Sequence, residues 1–242
     1  MRLIIYYLSF AAGLAAASLC SIMTGKKLGV EKRDAVIYTV TGFTAGVIGA
    51  VVMSQIYNAV IRAVAGGEQS SVSLFSLYGG LLFVPVLVLL PIKSAKKDYY
   101  TALDTCAAGV YLLLGTAKLG CHVYGCCYGV ECSFGVINPQ TGARVFPVQL
   151  TEAALTFMIA AAVYRYTLSK KRPRGAVYPA GLMIYGTVRF FIQFLRFHEI
   201  AAEADLIGFM DTWQTVSVIA VIAGAAWFFI IKKKDKKTDI NI

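Results

Sequence analysis

Long apolar stretches separated by short polar connections run through the whole chain. A helix that crosses a hydrocarbon core of about 30 Å needs roughly 20 mainly apolar residues. The stretches that meet this requirement are 4–23, 36–61, 73–92, 101–118, 147–166, 176–195 and 212–231. The pattern therefore predicts an all-α integral membrane protein of about seven transmembrane helices.

The first stretch, 4–23, also has features of a cleaved signal peptide, because Arg2 precedes it and small residues end it. We interpret it as a membrane helix. Since the connections are short, the sequence predicts a single polytopic membrane domain over residues 1–242. Within that domain we expect an outer loop at 117–146 and a basic cytoplasmic tail at 232–242.

Composition agrees with the hydropathy pattern. Hydrophobic residues make up 58% of the chain and charged residues only 15%, whereas about a quarter of the residues in a soluble domain are charged. The net charge of +10 does not indicate nucleic acid, because the basic residues fall in alternate connections rather than along one face. Their distribution predicts an N-terminus outside the cytoplasm and a cytoplasmic C-terminus.

Polar residues within or beside the apolar stretches gather at the outer face under this orientation. They are Tyr78, Lys118, Gln149, Glu152, Arg189, Gln193, Arg196 and Gln214. A charge inside a span, as at Arg189, costs at least about 2.5–3.5 kcal/mol unless it has a partner or faces water. Arg189, Gln193 and Arg196 share one helix face. Guanidinium and ammonium groups suit an anionic head group, and an ion pair between Arg189 and Glu152 is the alternative.

The glycine-rich segment after the fourth stretch concentrates four of the six cysteines. Cys121, Cys126, Cys127 and Cys132 lie there with His122. Outside the cytoplasm such residues form disulfides, and one or two bridges are the simplest interpretation. We predict no metal and no cofactor, because the spacing lacks the cysteine pair separated by two residues that is typical of zinc sites. A redox relay is a further alternative.

Five segments carry conspicuous motifs: YGGL at 78–81, the glycine- and cysteine-rich 117–129, FPVQLTE at 146–152, YGTVRFFIQFLR at 185–196, and 213–217, which holds Trp-Gln and Ser. In this order they resemble motifs of the bacterial prolipoprotein diacylglyceryl transferases, seven-helix enzymes of the cytoplasmic membrane. The corresponding family motifs are His-Gly-Gly-Leu, a Gly-Arg-x-Gly-Asn loop, His-Pro-x-Gln-Leu-Tyr-Glu, Tyr-Gly-x-x-Arg-Phe-x-x-Glu-x-x-Arg and Gly-Gln-x-x-Ser. The order of the five motifs is more specific than any one of them.

The resemblance implies transfer of a diacylglyceryl group from phosphatidylglycerol to a lipobox cysteine thiol, forming a thioether at the outer face of the bacterial cytoplasmic membrane. The implied partners are phosphatidylglycerol, the prolipoprotein signal peptide and membrane lipid. The candidate catalytic residues are Arg189 for the phosphate, Lys118, Glu152, and Tyr78 or His122 for removal of the acceptor proton. The candidate substrate-binding residues are Gly79, Gly80, Gly120, Cys121, Cys126, Gly129, Gln149, Tyr185, Gln193, Arg196 and Gln214.

The chain departs from the family pattern at five of these positions. Tyr78 replaces a His, Lys118 the signature Arg, Cys121 an Asn, and Cys126 and Gln193 each a Glu. These departures concern the base and the acceptor, so two alternatives stay open: a lipid transferase with another acceptor, and a membrane thiol redox protein. A transporter or receptor-like bundle is disfavoured, because its charged residues would lie near the membrane midplane.

Overall fold

The structure is a computed structural model that describes residues 1–65, 76–197 and 210–240, without the side chains of 60–65, 77 and 236–240. Its elements in chain order are α1 (Arg2–Lys27), α2 (Lys32–Ala65), α3 (Leu77–Leu87), α4 (Leu89–Ser94), α5 (Tyr99–Tyr124), β1 (Glu131–Ile137), β2 (Arg144–Val145), α6 (Val148–Thr167), α7 (Val177–Gln193) and α8 (Thr212–Ile240). The predicted apolar stretches fall on these helices, and only the beginning of 73–92 lies outside the described residues.

The helices have the character of membrane-spanning segments. Among the described residues, four are long and apolar enough to cross a bilayer: Arg2–Lys27, Lys32–Ala59, Tyr99–Tyr124 and Thr212–Asp235. Large apolar side chains such as Ile4, Met158, Phe191 and Phe229 are more than 60% exposed on the outside of the bundle, as expected for surfaces that face lipid. The chain is thus a mainly helical multi-pass membrane protein, and the number of seven crossings and the orientation stay predictions.

Two prolines shape the shorter apolar helix pair α3 and α4. Pro85 has no N–H for the carbonyl oxygen of Leu81, and the hydroxyl of Tyr178 on α7 donates to that oxygen instead at 2.7 Å. Pro91 likewise gives no helical bond to Leu87, and α3 ends at that residue. The break is therefore a consequence of sequence, and one of the freed carbonyls ties α3 to α7.

Close helix contacts explain several of the glycines. α5 lies centrally, packing most extensively against α1 and α6, and α2 packs along α3. A Cβ on Gly79 would lie 2.3 Å from the carbonyl oxygen of Gly49, so only glycine allows this crossing of α2 and α3. A Cβ on Gly120 would lie 2.0 Å from Oγ of Ser9 on α1.

The connection between α5 and α6 differs from the predicted outer loop. α5 continues to Tyr124, six residues past Lys118, and ends at Gly125 with φ 94°. The helix continues because Lys118 is paired inside the bundle and does not mark a membrane boundary. Beyond it, β1 and β2 form an antiparallel hairpin, a small exception to the all-α prediction.

A buried ion pair lies near the N-terminal end of α5, in a region where the sequence was used only to locate basic residues that set the orientation. Asp104 on α5 is 1% exposed and accepts hydrogen bonds from Arg172 and from the backbone N–H groups of Gly175 and Val177. It thereby anchors the connection between α6 and α7 to α5. Arg174, two residues away, makes an exposed pair with Asp98 instead.

These two arginines provide a matched stability test. Arg172→Ala is expected to lower the free energy of unfolding by about 3 kcal/mol, because it leaves the Asp104 carboxylate buried without its cation. Arg174→Ala is expected to cost at most about 1 kcal/mol, since its side chain is 64% exposed. Thermal unfolding of both variants in the same detergent measures the difference, and equal losses would contradict the assigned role of Asp104.

Candidate active site

Three cations surround one buried carboxylate at the end of the bundle opposite to Asp104. Glu152 Oε2 lies 3.0 Å from Lys118 Nζ and 3.9 Å from Arg196 Nη1, while Oε1 lies 3.8 Å from Arg189 Nε. Tyr185 donates its hydroxyl to Oε1 at 3.4 Å. Glu152, Lys118 and Arg189 are only 2–6% exposed, so water screens their charges little.

The fold brings these residues together from three helices. Lys118 is near the C-terminal end of α5, Glu152 near the N-terminal end of α6, and Arg189 near the C-terminal end of α7. Arg196 follows α7, where an antiparallel bridge to Gly129 holds it. A Cβ on Gly129 would lie 2.6 Å from the carbonyl oxygen of Phe146, so this bridge depends on glycine.

The cluster carries more positive than negative charge. Its three basic groups exceed its single carboxylate by two charges. Arg189 Nη1 is buried and has no hydrogen-bond partner within the part of the chain that the structure describes. A buried guanidinium N–H without an acceptor is costly. The arrangement is therefore suited to an anion that brings its own acceptor oxygens, as a phosphate does.

Aromatic residues form the wall beside the cluster. The ring of Tyr185 lies 5.6 Å from that of Tyr78 and 6.0 Å from that of Tyr111. The Tyr78 hydroxyl and Ser217 Oγ on α8 are hydrogen-bonded at 2.7 Å. Tyr78 is thus placed next to the predicted site, but its hydroxyl is already paired with α8.

The three candidate glutamines are all buried, and Gln149 and Gln214 make hydrogen bonds within the protein. Gln149 donates to the carbonyl oxygen of Cys126 at 2.8 Å. Gln214 caps α8: its Oε1 accepts from the N–H of Asp211, whose Oδ1 accepts from the N–H of Gln214. Gln193 lies in the last turn of α7, and its side chain is 3% exposed. These capping bonds explain the presence of a glutamine at position 214 even if its side chain does not contact the substrate.

Three thiols meet next to the charged cluster. The Sγ atoms of Cys121, Cys126 and Cys127 lie within 4.8 Å of one another. All six cysteines of the chain are free thiols in the structure, so the expected disulfides are not formed. Cys132 lies on β1 and does not belong to the group.

The loop thiols and Arg196 influence each other's protonation. Hydrogen bonds from Cys121 and Cys126, together with the charges of Arg196 and Lys118, hold the pKa of Cys127 well below its usual range. Hydrogen bonding of Cys126 with Cys121 and Cys127 raises the pKa of Cys126. Burial opposes the charge on Arg196, but Cys127 and Glu152 outweigh it and raise the Arg196 pKa. Cys127 is therefore the thiol that most readily becomes a thiolate.

Comparison with known proteins agrees with the motif pattern. The family model of prolipoprotein diacylglyceryl transferase matches residues 1–230. The chain belongs to this family. Its match includes α1 and α2, where the five motifs gave no signal, so membership rests on nearly the whole bundle.

Relatives in this family are similar at modest identity. A phosphatidylglycerol–prolipoprotein diacylglyceryl transferase 2 from Clostridium perfringens is 23% identical over 246 residues, covering 98% of this chain and 94% of the relative. A transferase of the same description from Clostridium tetani is 24% identical, covering 93% and 92%. One from Teredinibacter turnerae is 31% identical over 157 residues, covering 64% of this chain and 55% of its own.

The structure of this diacylglyceryl transferase family member groups some of the predicted site residues and separates others. Lys118, Glu152, Tyr185, Arg189 and Arg196 form one contact network. Gly79, Gly80 and Gly120 lie where helices approach each other closely. His122 is half-buried in the last turn of α5, and among the described residues it has no hydrogen-bond partner.

Cys127 was not among the candidate site residues, although it belongs to the thiol group. The sequence favoured disulfide bridges for these cysteines, because spacing along the chain does not show where three thiols converge. The signal was Gly125, which turns the chain back at the end of α5. Cys127 then adopts φ 58°, a left-handed conformation that is uncommon for residues other than glycine.

Proposed function

We propose that this chain transfers a diacylglyceryl group from phosphatidylglycerol to the thiol of a lipobox cysteine in a prolipoprotein signal peptide. Family membership and the named substrates of the relatives support this activity. The observation that carries it is the buried cation excess around Glu152 with the unpartnered Nη1 of Arg189. Such a site accepts an anionic head group whose oxygens complete the hydrogen bonding.

The reaction needs removal of the proton of the acceptor thiol and stabilisation of the negative charge on the departing glycerol phosphate. The acceptor thiol gives up its proton to water, and its sulfur attacks the glyceryl carbon of the lipid. An S–C bond forms, the C–O bond to phosphate breaks, and its electron pair leaves on glycerol phosphate. Arg189, Lys118 and Arg196 are the groups we assign to the charge that develops on the phosphate oxygens. Glu152 would hold these cations in place before the lipid binds.

An apolar cavity provides space for part of an acyl chain. It has a volume of about 110 Å³ and lies between α1, α2, α3 and α5. Its lining includes Leu14, Gly42, Gly46, Gly80, Leu114 and Ala117. Gly80 follows Tyr78 by two residues and Ala117 precedes Lys118, so helices that carry the site also line the cavity. We assign it to a segment of one acyl chain of the lipid donor.

Gly42 permits a test of this assignment. A Cβ there meets nothing within 4 Å, so Gly42→Phe fills the cavity without a backbone clash. Fitting an acyl chain past the ring costs about 1–3 kcal/mol, and we expect kcat/KM for phosphatidylglycerol to fall about tenfold. Val40→Phe is the control, because Val40 is 59% exposed on the same helix. Equal activity of both variants would contradict the assignment.

The orientation that we propose puts the reaction at the outer face of the bacterial cytoplasmic membrane. Seven crossings with the N-terminus outside place the Glu152 cluster on that side. The Asp104–Arg172 pair and the basic connections then lie on the cytoplasmic side, as the distribution of basic residues favours. Labelling of Cys127 in intact cells by a membrane-impermeant maleimide tests this, and labelling only after lysis would contradict it.

The alternative of a thiol redox protein is supported by the three adjacent thiols. Complementation of a strain lacking its own transferase separates the two functions. We expect the wild-type chain to restore lipoprotein modification and Arg189→Ala to restore far less. No restoration by the wild-type chain, or retention with Arg189→Ala, would favour the redox alternative.

A further inference from the structure

Cys121, Cys126 and Cys127 have the arrangement of metal ligands even though their spacing in sequence does not suggest it. Their Sγ atoms lie within 4.8 Å of one another. Three thiolates bound to a tetrahedral zinc ion at about 2.3 Å lie roughly 3.8 Å apart. Convergence by about 1 Å, within reach of small side-chain rotations, is enough to bring the three sulfurs to bonding distance of one ion.

The surroundings suit the charge of such a complex. Three thiolates and one divalent ion carry one net negative charge, and Arg196 and Lys118 are the nearby cations that act on Cys127. Thiolate ligands select soft and borderline metals, zinc among them, over magnesium or calcium. Cys121 is buried and Cys127 is exposed, so one side of the group is accessible to an incoming ligand.

The group is adjacent to the proposed reaction centre. Arg196 links the two, because its Nη1 lies 3.9 Å from the carboxylate of Glu152 and its positive charge acts on Cys127. Gln149 ties the backbone of Cys126 to α6, three residues before Glu152. A ligand bound at the thiols therefore lies beside the phosphate that Arg196 would contact.

We propose that Cys121, Cys126 and Cys127 bind one zinc-like thiophilic divalent ion, and that the ion's fourth position takes the acceptor thiol. The second part rests on the proposed function. An acceptor Cys–SH that binds the ion loses its proton to water and becomes a metal-bound thiolate. Its sulfur then forms the S–C bond while the phosphate oxygen departs with the C–O electron pair. No redox change occurs.

This role accounts for the departure at Tyr78. The hydroxyl of that residue is hydrogen-bonded to Ser217, and a phenol is a poor base near neutral pH because its usual pKa is about 10. A metal ion that binds the acceptor thiol removes the need for a strong protein base.

Metal content is the first test. Protein purified in detergent under reducing conditions is loaded with Zn²⁺, passed over a desalting column and measured by elemental analysis. We expect about one zinc per chain for wild type and for Cys132→Ser, and its loss in the triple variant Cys121→Ser/Cys126→Ser/Cys127→Ser. If the triple variant does not fold, the exposed Cys127→Ser alone is expected to weaken retention. No zinc in folded wild type, or equal zinc in the triple variant, would overturn the site.

Cobalt tests the fourth position. Co²⁺-loaded wild type is expected to show thiolate-to-cobalt charge-transfer absorption that increases when a lipobox peptide is added but not with its Cys→Ser analogue. Unchanged absorption with the Cys peptide would overturn thiol binding at the ion. Lipid transfer by demonstrably metal-free protein would overturn the inference and leave the proposed function intact. A metal-loaded protein with the peptide response but without transfer would support the site and refute the function.

Discussion

Replacing Arg189 with alanine is expected to lower kcat/KM for lipid transfer by about 10²–10³-fold, the usual effect of removing one preorganised donor from a developing anion. Arg189 is the residue whose Nη1 is buried without an acceptor in the described structure. Its Nε is only 3.8 Å from Glu152, so the guanidinium is held by one edge while the other is available to phosphate. The value of kcat/KM is measured for purified wild type and Arg189→Ala by following transfer of the diacylglyceryl group to a lipobox peptide.

Arg144→Ala is the control for that measurement. Arg144 is an exposed arginine on β2 that donates to the carbonyl oxygen of Gly135, far in sequence from the α7 motif. It is expected to retain wild-type kcat/KM. Thermal unfolding of both variants checks that they are folded. A folded Arg189→Ala protein with nearly full activity would refute the assignment of this side chain to the phosphate.

Removing the central carboxylate is expected to have the largest effect on stability. Glu152→Ala leaves three cations close together without their anion, and we expect it to lower the free energy of unfolding by about 5 kcal/mol, at the upper end for broken buried pairs. Glu131→Ala is the control, since Glu131 is exposed on the hairpin. Unfolding in the same detergent measures both variants.

A second substitution distinguishes charge imbalance from loss of packing. Lys118 makes the shortest pair with Glu152, at 3.0 Å, so Glu152→Gln/Lys118→Met removes one charge of each sign. This double variant is expected to be more stable than Glu152→Gln, which keeps the size of the side chain but leaves all three cations. If the double variant were no more stable than Glu152→Gln, charge imbalance would not explain the loss in Glu152→Ala.

Hydropathy predicted the helices well because lipid imposes a length and a composition on each crossing. The errors occurred where a polar side chain is satisfied inside the protein. Lys118 was read as the end of a helix that continues to Tyr124. Asp104 was overlooked, although it receives three hydrogen-bond donors in the bundle. In both cases the partner comes from a distant part of the chain.

The candidate site, like the helices, was predicted from the sequence only in part. Helical spacing predicted one shared face for Arg189, Gln193 and Arg196, but α7 ends at Gln193 and Arg196 reaches the cluster from the segment that follows. The ion pair between Arg189 and Glu152, the alternative to an anion site, is present at 3.8 Å. The capping role of Gln214 and the convergence of the thiols around Cys127 depend on turn geometry. Sequence spacing does not determine such geometry, because a single left-handed residue redirects the chain.

Direct observation of lipid transfer tests the central claim. Purified protein is incubated with phosphatidylglycerol and a lipobox peptide, and the peptide is analysed by mass spectrometry beside its Cys→Ser analogue. We predict a mass gain of one diacylglyceryl group on the cysteine peptide, absent from the analogue and greatly reduced with Arg189→Ala. No gain on the cysteine peptide, with folded protein and an active transferase of the same family alongside, would contradict the proposed function.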